Sequence, residues 1–252
     1  MPERRPLVAA NWKMNKTRPE AEEFLRIFMK ASGDLDALDV VVCVPYTALA
    51  ATVELTIGSA VRIAAQNMHH EDEGAFTGEI SAGMLVDVGA EGVVLGHSER
   101  RQLFGETDEA LAQKVPVALE AGLLPILCVG ESEEERDAEE TESVLRSQLE
   151  VDLANVDDDR LAEVVVAYEP IWAIGTGRTA TTEQAQEAIG FIRERLAQRD
   201  ETAAGAVRIL YGGSMKPANA GELMAQADVD GGLVGGASLD PDEFLSICRA
   251  AV

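Results

Sequence analysis

Short apolar runs alternate with helical patterns from one end of the chain to the other. Eight runs rich in β-branched residues predict strands at residues 7–10, 40–44, 61–65, 92–95, 123–129, 164–168, 208–211 and 231–234. Runs of this length and composition are typical of strands that are covered on both faces. Between them lie amphipathic patterns with helix-start signals, such as Thr17 with Glu20 and Thr181 with Gln184. Strict alternation of strand and helix predicts a parallel sheet.

Eight strand–helix units within 252 residues match the usual size of a closed eight-stranded parallel (β/α)8 barrel. The alternative α/β architecture is an open doubly wound sheet, which typically carries a glycine-rich nucleotide-binding turn after its first strand. Here that turn reads Asn-Trp-Lys-Met-Asn over residues 11–15 and contains no glycine. We therefore expect one barrel domain over residues 1–252, with its functional groups at the carboxyl ends of the strands.

The chain is strongly acidic, with 45 Asp and Glu against 21 Lys and Arg and a formal net charge of −24. A nucleic-acid-binding protein needs a basic face, and an anionic membrane surface repels such a chain. No stretch approaches the about 20 consecutive apolar residues of a membrane helix, and no apolar signal-peptide core follows the first residues. Two interpretations of the acidity stay open: high solubility, or a surface suited to salty surroundings.

The cysteines and histidines do not indicate a metal site. Cys43, Cys128 and Cys248 are widely spaced, which excludes a disulfide framework and a cysteine zinc cluster and suits a reducing cytoplasm. His69 and His70 lie in a polar segment without an evident third ligand.

The densest acidic run, residues 131–142, holds eight acidic residues and one basic residue. Ser132 and Glu135 fit a capping box, which predicts the acidic start of a solvated helix.

Charged and polar side chains follow two of the predicted strands directly. Lys13 comes after the first strand and is either a functional cation at the barrel mouth or only a solvated or salt-bridged charge. His97 comes after the fourth strand, within Gly-His-Ser-Glu-Arg-Arg over residues 96–101. It is either a hydrogen-bonded packing residue or an acid or electrophile. If Ser98 begins a short helix, the helix dipole favours neutral imidazole.

Glu169 follows the sixth strand, which is too apolar to accept an unpaired carboxylate. Burial is expected to raise the pKa of Glu169 toward the range that a general base needs. The following loop is apolar, and exposing Ile171, Trp172 and Ile174 in a fixed open loop would be unfavourable. A lid that closes over a ligand is one interpretation, and a structural Glu–Lys bridge beside a packed loop is the other.

Glycine pairs follow the last two strands, at residues 212–213 and 235–236. They leave backbone N–H groups open to a ligand, and loops after strands seven and eight often bind phosphate in barrels. A carboxylate, an imidazole, a lysine and a lid around an anion site suit proton abstraction next to a carbonyl. The residues thus predict a barrel enzyme for a small phosphorylated substrate.

Seven motifs occur in order along nearly the whole chain. They lie at residues 11–15, 65–67 with 74–79, 96–101, 128–131, 167–177, 211–214 and 231–237. Together they resemble the triosephosphate isomerase family. The resemblance implies a TIM barrel that interconverts dihydroxyacetone phosphate and D-glyceraldehyde 3-phosphate, in glycolysis and gluconeogenesis, without cofactor or metal.

The resemblance also implies roles for individual residues. Glu169 would be the base, and His97 would polarise the carbonyl and move protons between the oxygens. Lys13, paired with Glu99, would offset the charge of the enediolate, and Asn11 would help to orient it. The backbone of Gly175, Ser214, Gly235 and Gly236 would hold the phosphate, and Ser98 would support the site. The lid would comprise Pro170, Ile171, Trp172, Ala173, Ile174, Gly175, Thr176, Gly177 and Ala180, with Tyr211 and Ser214 holding it closed and Cys128 packing near the base.

Residues 66–79 resemble the interdigitating loop of the family's homodimer. The resemblance places Gln66 and Asn67 at its base, Thr77 near the partner's active site, and Glu79 opposite Arg100 across the interface. The alternative is a long surface loop of a monomer.

Two other functions stay open from the sequence: a different phosphate-binding barrel isomerase or epimerase, and a non-catalytic phosphate-binding protein. The joint presence of Glu169, His97 and Lys13 argues against both.

Overall fold

The computed structural model describes residues 4–175 and 178–252 and contains a closed parallel barrel with the strand order β1-β2-β3-β4-β5-β6-β7-β8. The strands are β1 Leu7–Asn11, β2 Asp39–Cys43, β3 Val61–Ala65, β4 Gly92–Leu95, β5 Leu124–Val129, β6 Val165–Tyr168, β7 Arg208–Tyr211 and β8 Gly231–Val234. The predicted fold class is confirmed, and each predicted strand lies within one residue of its observed bounds. The barrel closes where β8 pairs with β1, with Leu7 opposite Gly231.

Helices surround the barrel. They are α1 Arg18–Ala31, α2 Tyr46–Thr56, α3 Ala82–Asp87, α4 Ser98–Phe104, α5 Asp108–Glu120, α6 Glu133–Asp137, α7 Thr141–Asp152, α8 Thr182–Ala197, α9 Glu201–Ala206, α10 Pro217–Met224 and α11 Pro241–Arg249. Short 3-10 turns cover Asp158–Glu163, Ile171–Ala173 and Gly236–Leu239. The predicted capping boxes form at Thr17, Ser132 and Thr181. Within the described ranges, no helix is long and apolar enough to cross a membrane.

The alternation of side chains along the strands produces two buried layers. One contains strand residues only and fills the barrel: Leu7, Ala9, Val41, Cys43, Ala64, Val94, Ile126, Cys128, Val165, Ala167, Leu210 and Leu233. The other joins the opposite strand faces to the helices and includes a cluster of Trp12, Phe24, Phe28 and Phe244. Because both strand faces are buried, the polar residues that follow the strands are held on a rigid frame.

The acidic run 131–142 contains the predicted acidic start of a solvated helix at Ser132, but the run does not form one helix. Glu131 is fully buried, and the acidic residues after Ser132 lie in α6, in the short link that follows it, and in α7. Glu139 has a positive φ of 59° between these two helices, which breaks the helical path. The expectation of a solvated acidic surface therefore holds for this run only beyond Glu131.

Substitution of Gly231 tests the closure of the barrel. Gly231 has a φ of +143°, and a Cβ atom there would lie 1.8 Å from the carbonyl oxygen of Leu7. We expect Gly231→Ala to lower the free energy of unfolding by at least about 2 kcal/mol, because the strand backbone must move where β8 pairs with β1. Urea and thermal unfolding measure this loss.

Gly205→Ala is the matched control, because no heavy atom lies within 4 Å of a Cβ built at this position in α9. It should stabilise the protein by about 0.5–1 kcal/mol. If the two variants unfold at the same urea concentration and temperature, the close approach of β8 to β1 at Gly231 does not control the stability of the barrel.

Candidate active site

A cavity of about 600 Å³ opens at the carboxyl ends of the strands. Its wall includes Asn11 at the end of β1, Lys13 after β1, His97 after β4, and Glu169 after β6. The structure therefore brings together the four residues that the sequence predicts for the chemistry. They come from the carboxyl ends of three different buried strands, so the barrel fixes their relative positions.

Glu169 crosses from the end of β6 to the turn that follows β4. Its side chain is 2% exposed. Oε2 accepts a hydrogen bond of 2.8 Å from the backbone N–H of Ser98, and Oε1 lies 3.0 Å from His97 Nε2. A Cβ atom at Gly130 would lie 1.8 Å from the carbonyl oxygen of Glu169. Glycine at this position therefore leaves space for the backbone that carries the base.

The expectation that burial raises the pKa of Glu169 is wrong for this arrangement. Burial does act in that direction, but the electrostatic attraction and the hydrogen bond of His97 oppose it. The Ser98 N–H and the charge of Lys13 also lower the pKa of Glu169. Together these groups lower the pKa of Glu169 below its ordinary value. The carboxylate is therefore held ionised and ready to accept a proton.

His97 precedes α4 and caps it. Its Nδ1 accepts a hydrogen bond of 3.2 Å from the backbone N–H of Glu99. This geometry makes Nδ1 the acceptor and leaves Nε2 as the ring nitrogen that faces Glu169. The Nε2–H is directed to Glu169 and is available to a ligand oxygen in the same cavity.

Lys13 is held in an uncommon backbone conformation, with a φ of +52°. Asn11 Oδ1 accepts from the Lys13 N–H at 3.1 Å, and Gln66 Nε2 donates to the Lys13 carbonyl at 3.0 Å. Its Nζ lies 2.5 Å from Glu99 Oε1, as the resemblance implies. Gln66, expected at the dimer loop, thus also holds the backbone of a predicted catalytic residue. Strain held by neighbouring side chains is typical of functional sites.

The opposite side of the cavity presents backbone N–H groups. Those of Ser214, Gly235 and Gly236 make no hydrogen bond to another described residue. The turn after β8 is fixed by Trp12 Nε1, which donates to the Ser238 carbonyl at 3.0 Å. Fixed, unpaired N–H donors on a concave wall can bind an anion.

The glycines after β7 have a further role that the sequence did not indicate. A Cβ atom at Gly212 would lie 2.9 Å from Glu169 Cγ. A Cβ atom at Gly213 would lie 2.3 Å from the Tyr211 hydroxyl and 2.9 Å from Pro170 Cγ. These glycines therefore make room for the base and for the start of the predicted lid.

The start of the predicted lid packs onto Glu131, a residue that the sequence analysis missed. Glu131 Oε1 accepts from Trp172 Nε1 at 2.9 Å and from the Tyr168 hydroxyl at 3.0 Å. The guanidinium of Arg136 lies 4.7 Å from the Trp172 ring and 3.1 Å from Glu131. The strand pattern could not reveal this role, because Glu131 begins an acidic run that looks solvent-exposed.

The apolar residues of the predicted lid are partly buried. Ile171, Trp172 and Ile174 are half-buried, Ala173 and Ala180 are buried, and Gly175 is exposed with a φ of +70°. Thr176 and Gly177 lie outside the described residues.

Tyr211, expected to hold the lid closed, has a buried hydroxyl next to the lid's second end. Burial raises the pKa of Tyr211 to about 12, and the backbone N–H of Ala180 acts in the opposite direction. The hydroxyl makes no hydrogen bond of ordinary geometry to a described residue.

The remaining predicted residues do not line the cavity. Cys128 is fully buried in the barrel next to Glu169, and burial raises the pKa of its thiol. Asn67 Oδ1 accepts from Lys114 Nζ at 2.9 Å, and Thr77 and Glu79 are exposed in the loop. Arg100 Nε lies 3.4 Å from Glu106 Oε2 of the same chain.

The low pKa of Glu169 can be tested by carboxyl NMR titration of the unliganded protein. We expect a value below the ordinary 4.5 in the wild type. In His97→Ala the pKa of Glu169 should rise, because fewer groups then counteract the effect of burial. The acid limb of the pH profile of kcat/KM should move to higher pH in the same direction.

His70→Ala, outside the cavity, should leave the titration of Glu169 unchanged. An unchanged Glu169 titration in His97→Ala would show that His97 does not control the charge of this carboxylate.

The sequence model of the triosephosphate isomerase family matches residues 6–251 of the chain. A protein named triosephosphate isomerase from Symbiobacterium thermophilum is 51% identical over 249 residues, covering 98% of this chain and 97% of the relative. One of the same name from Rubrobacter xylanophilus is 53% identical over 251 residues, covering 99% and 98%. A third, from Rhodopirellula baltica, is 48% identical over 249 residues, covering 98% of each.

Proposed function

This chain belongs to the triosephosphate isomerase family, and from that premise we propose that it interconverts dihydroxyacetone phosphate and D-glyceraldehyde 3-phosphate, with Glu169 as the base. The observation that carries the assignment of roles is the 3.0 Å approach of Glu169 Oε1 to His97 Nε2 in a cavity that also contains Lys13. A buried carboxylate, a neutral imidazole and a cation are the groups that proton transfer beside a carbonyl requires.

In the proposed mechanism, Glu169 removes a proton from the carbon next to the carbonyl and returns it to the neighbouring carbon. His97 donates from Nε2 to the carbonyl oxygen and moves protons between the two oxygens. Lys13 offsets the negative charge that develops on the enediolate, and Asn11 helps to orient the substrate. Proton abstraction and return leave the atoms of the triose phosphate unchanged in number, as isomerisation requires.

We further propose that the phosphate binds to the backbone of Gly175, Ser214, Gly235 and Gly236. The unpaired N–H groups of the last three support this assignment. Closure of residues 170–180 over the substrate would exclude water and limit elimination of phosphate from the enediolate. The anchoring of Trp172 on Glu131 gives such a lid a fixed first end.

The alternatives from the sequence were another phosphate-binding barrel isomerase or epimerase and a non-catalytic phosphate-binding protein. The family match over residues 6–251 disfavours the first. The conjunction of Glu169, His97 and Lys13 in one cavity disfavours the second. We also propose that residues 1–252 act as a single domain and that the protein is cytoplasmic, since Cys43, Cys128 and Cys248 are all free and buried.

A homodimer is the assembly that we propose. Large apolar side chains are exposed on the segments that follow β1, β3 and β4: Met14 is 97% exposed, Phe76 43%, Leu103 73% and Phe104 69%. These strands lie within the consecutive half-barrel β1–β4, so the segments lie on one side of its carboxyl end. Apolar surface of this kind typically marks a protein interface.

Glu169→Gln tests the base. The amide keeps the shape of the side chain but cannot accept the proton at a useful rate. We expect kcat to fall by about 10²–10⁴-fold with little change in folding. Conversion of D-glyceraldehyde 3-phosphate by purified protein measures it.

Glu194→Gln, an exposed glutamate on α8, is the control and should retain wild-type turnover. Full activity of Glu169→Gln would remove Glu169 from the mechanism. A folded wild type without turnover would remove the proposed function.

Light scattering tests the dimer. The wild type should have twice the 26.9 kDa mass of one chain, and Phe104→Glu should shift the mass toward one chain by placing a charge in the apolar surface. Ile57→Glu, at a 79% exposed residue before β3 and thus at the opposite end of the barrel, should leave the mass unchanged. A wild type of single-chain mass would contradict the proposal.

A further inference from the structure

We propose that Lys216 is a specificity-determining residue that attracts the dianionic phosphate of the substrate into the cavity. The inference rests on the proposed function, and it concerns a residue that neither the motifs nor the proposed chemistry includes. Lys216 lies in the cavity wall, two residues beyond Ser214.

The charges in the cavity wall show why an additional cation matters. Five ionisable Lys and Glu side chains line it: Lys13, Lys216, Glu99, Glu169 and Glu243. Lys13 is paired with Glu99 at 2.5 Å, so its charge is largely compensated before a ligand enters. Glu169 is ionised and Glu243 is also acidic, and both repel a dianion. Lys216 is the cation in this wall without a carboxylate within 4.0 Å among residues 4–175 and 178–252.

The backbone of Lys216 is fixed, whereas its side chain extends into solvent. The Lys216 N–H donates to Asn219 Oδ1 at 2.7 Å, and Asn219 Nδ2 donates to the Ser214 carbonyl at 3.1 Å. Pro217 follows directly at the start of α10. The side chain is exposed at the cavity rim. The stem is thus positioned beside the proposed phosphate site, and the ammonium group can reach an approaching ligand.

The other lysines are engaged elsewhere. Lys16 Nζ donates to the Leu239 carbonyl at 2.8 Å, Lys114 is buried against Glu106, and Lys30 lies in the last turn of α1. No arginine lines the described part of the cavity wall. A chain of net charge −24 repels a dianion at long range, but exposed charges beyond about 8–10 Å are screened at physiological salt. A single unpaired cation at the rim, Lys216, then contributes much of the attraction that a dianionic ligand experiences close to the cavity.

The test compares Lys216→Gln, Lys216→Arg and the matched control Lys30→Gln, all measured at low salt and at moderate salt. With D-glyceraldehyde 3-phosphate at low salt, we expect Lys216→Gln to lower kcat/KM by about three- to tenfold through KM, with kcat unchanged. Moderate salt should narrow this difference, because screening weakens the attraction in the wild type. Lys216→Arg should retain wild-type behaviour, and Lys30→Gln should not differ from wild type.

Two further readouts separate attraction of phosphate from a structural role. The inhibition constant of glycerol 3-phosphate should rise in Lys216→Gln, whereas slow turnover of D-glyceraldehyde, which lacks phosphate, should not change. A fall in kcat that is equal at both salt concentrations would overturn the proposal. An unchanged KM and inhibition constant at low salt would also overturn it.

The outcome remains decisive if the proposed function fails. A wild type without turnover would reject the isomerase assignment, and calorimetry with inorganic phosphate would then test Lys216 directly. Weaker phosphate binding in Lys216→Gln than in Lys30→Gln would support the role of Lys216, and equal binding would reject it.

Discussion

The ionised form of the buried Glu169 carboxylate depends on the turn that faces it from the end of β4. In this turn His97 approaches one carboxylate oxygen and the Ser98 N–H donates to the other. Without these partners, burial would favour the neutral acid, which cannot accept a proton. The closed barrel is what makes the contact possible, because it places residues 71 positions apart within hydrogen-bond distance. Gly130 and Gly212 then provide the space that the base and its backbone need.

The negative charge of the chain and the proposed anion site involve different groups of the protein. The net charge of −24 is spread over the chain, whereas the side of the cavity that we propose for the phosphate presents uncharged N–H donors from Ser214, Gly235 and Gly236. Neutral dipoles act at contact distance and do not require a basic surface. The charge of Lys13 is balanced by Glu99 until a ligand changes the local field.

Much of this arrangement can be predicted from the sequence, because strand period, helix caps and the residue after each strand are local signals. The eight strands, the capping boxes and the meeting of Lys13, His97 and Glu169 follow from such signals. Other features depend on contacts between distant segments and leave no local pattern. The burial of Glu131 in an acidic run and the low pKa of Glu169 are of this kind. The pKa was predicted in the wrong direction because burial was considered without the partners that the fold supplies.

The central claim is that a side-chain base removes and returns a proton. Isomerisation of dihydroxyacetone phosphate in D₂O, with NMR or mass analysis of early product, tests this claim most directly. A proton held by Glu169 can exchange with solvent before it returns, so the account predicts deuterium on the carbon next to the new carbonyl in a substantial fraction of product molecules. Complete retention of the original hydrogen at every turnover would contradict a proton held by Glu169 in exchange with solvent.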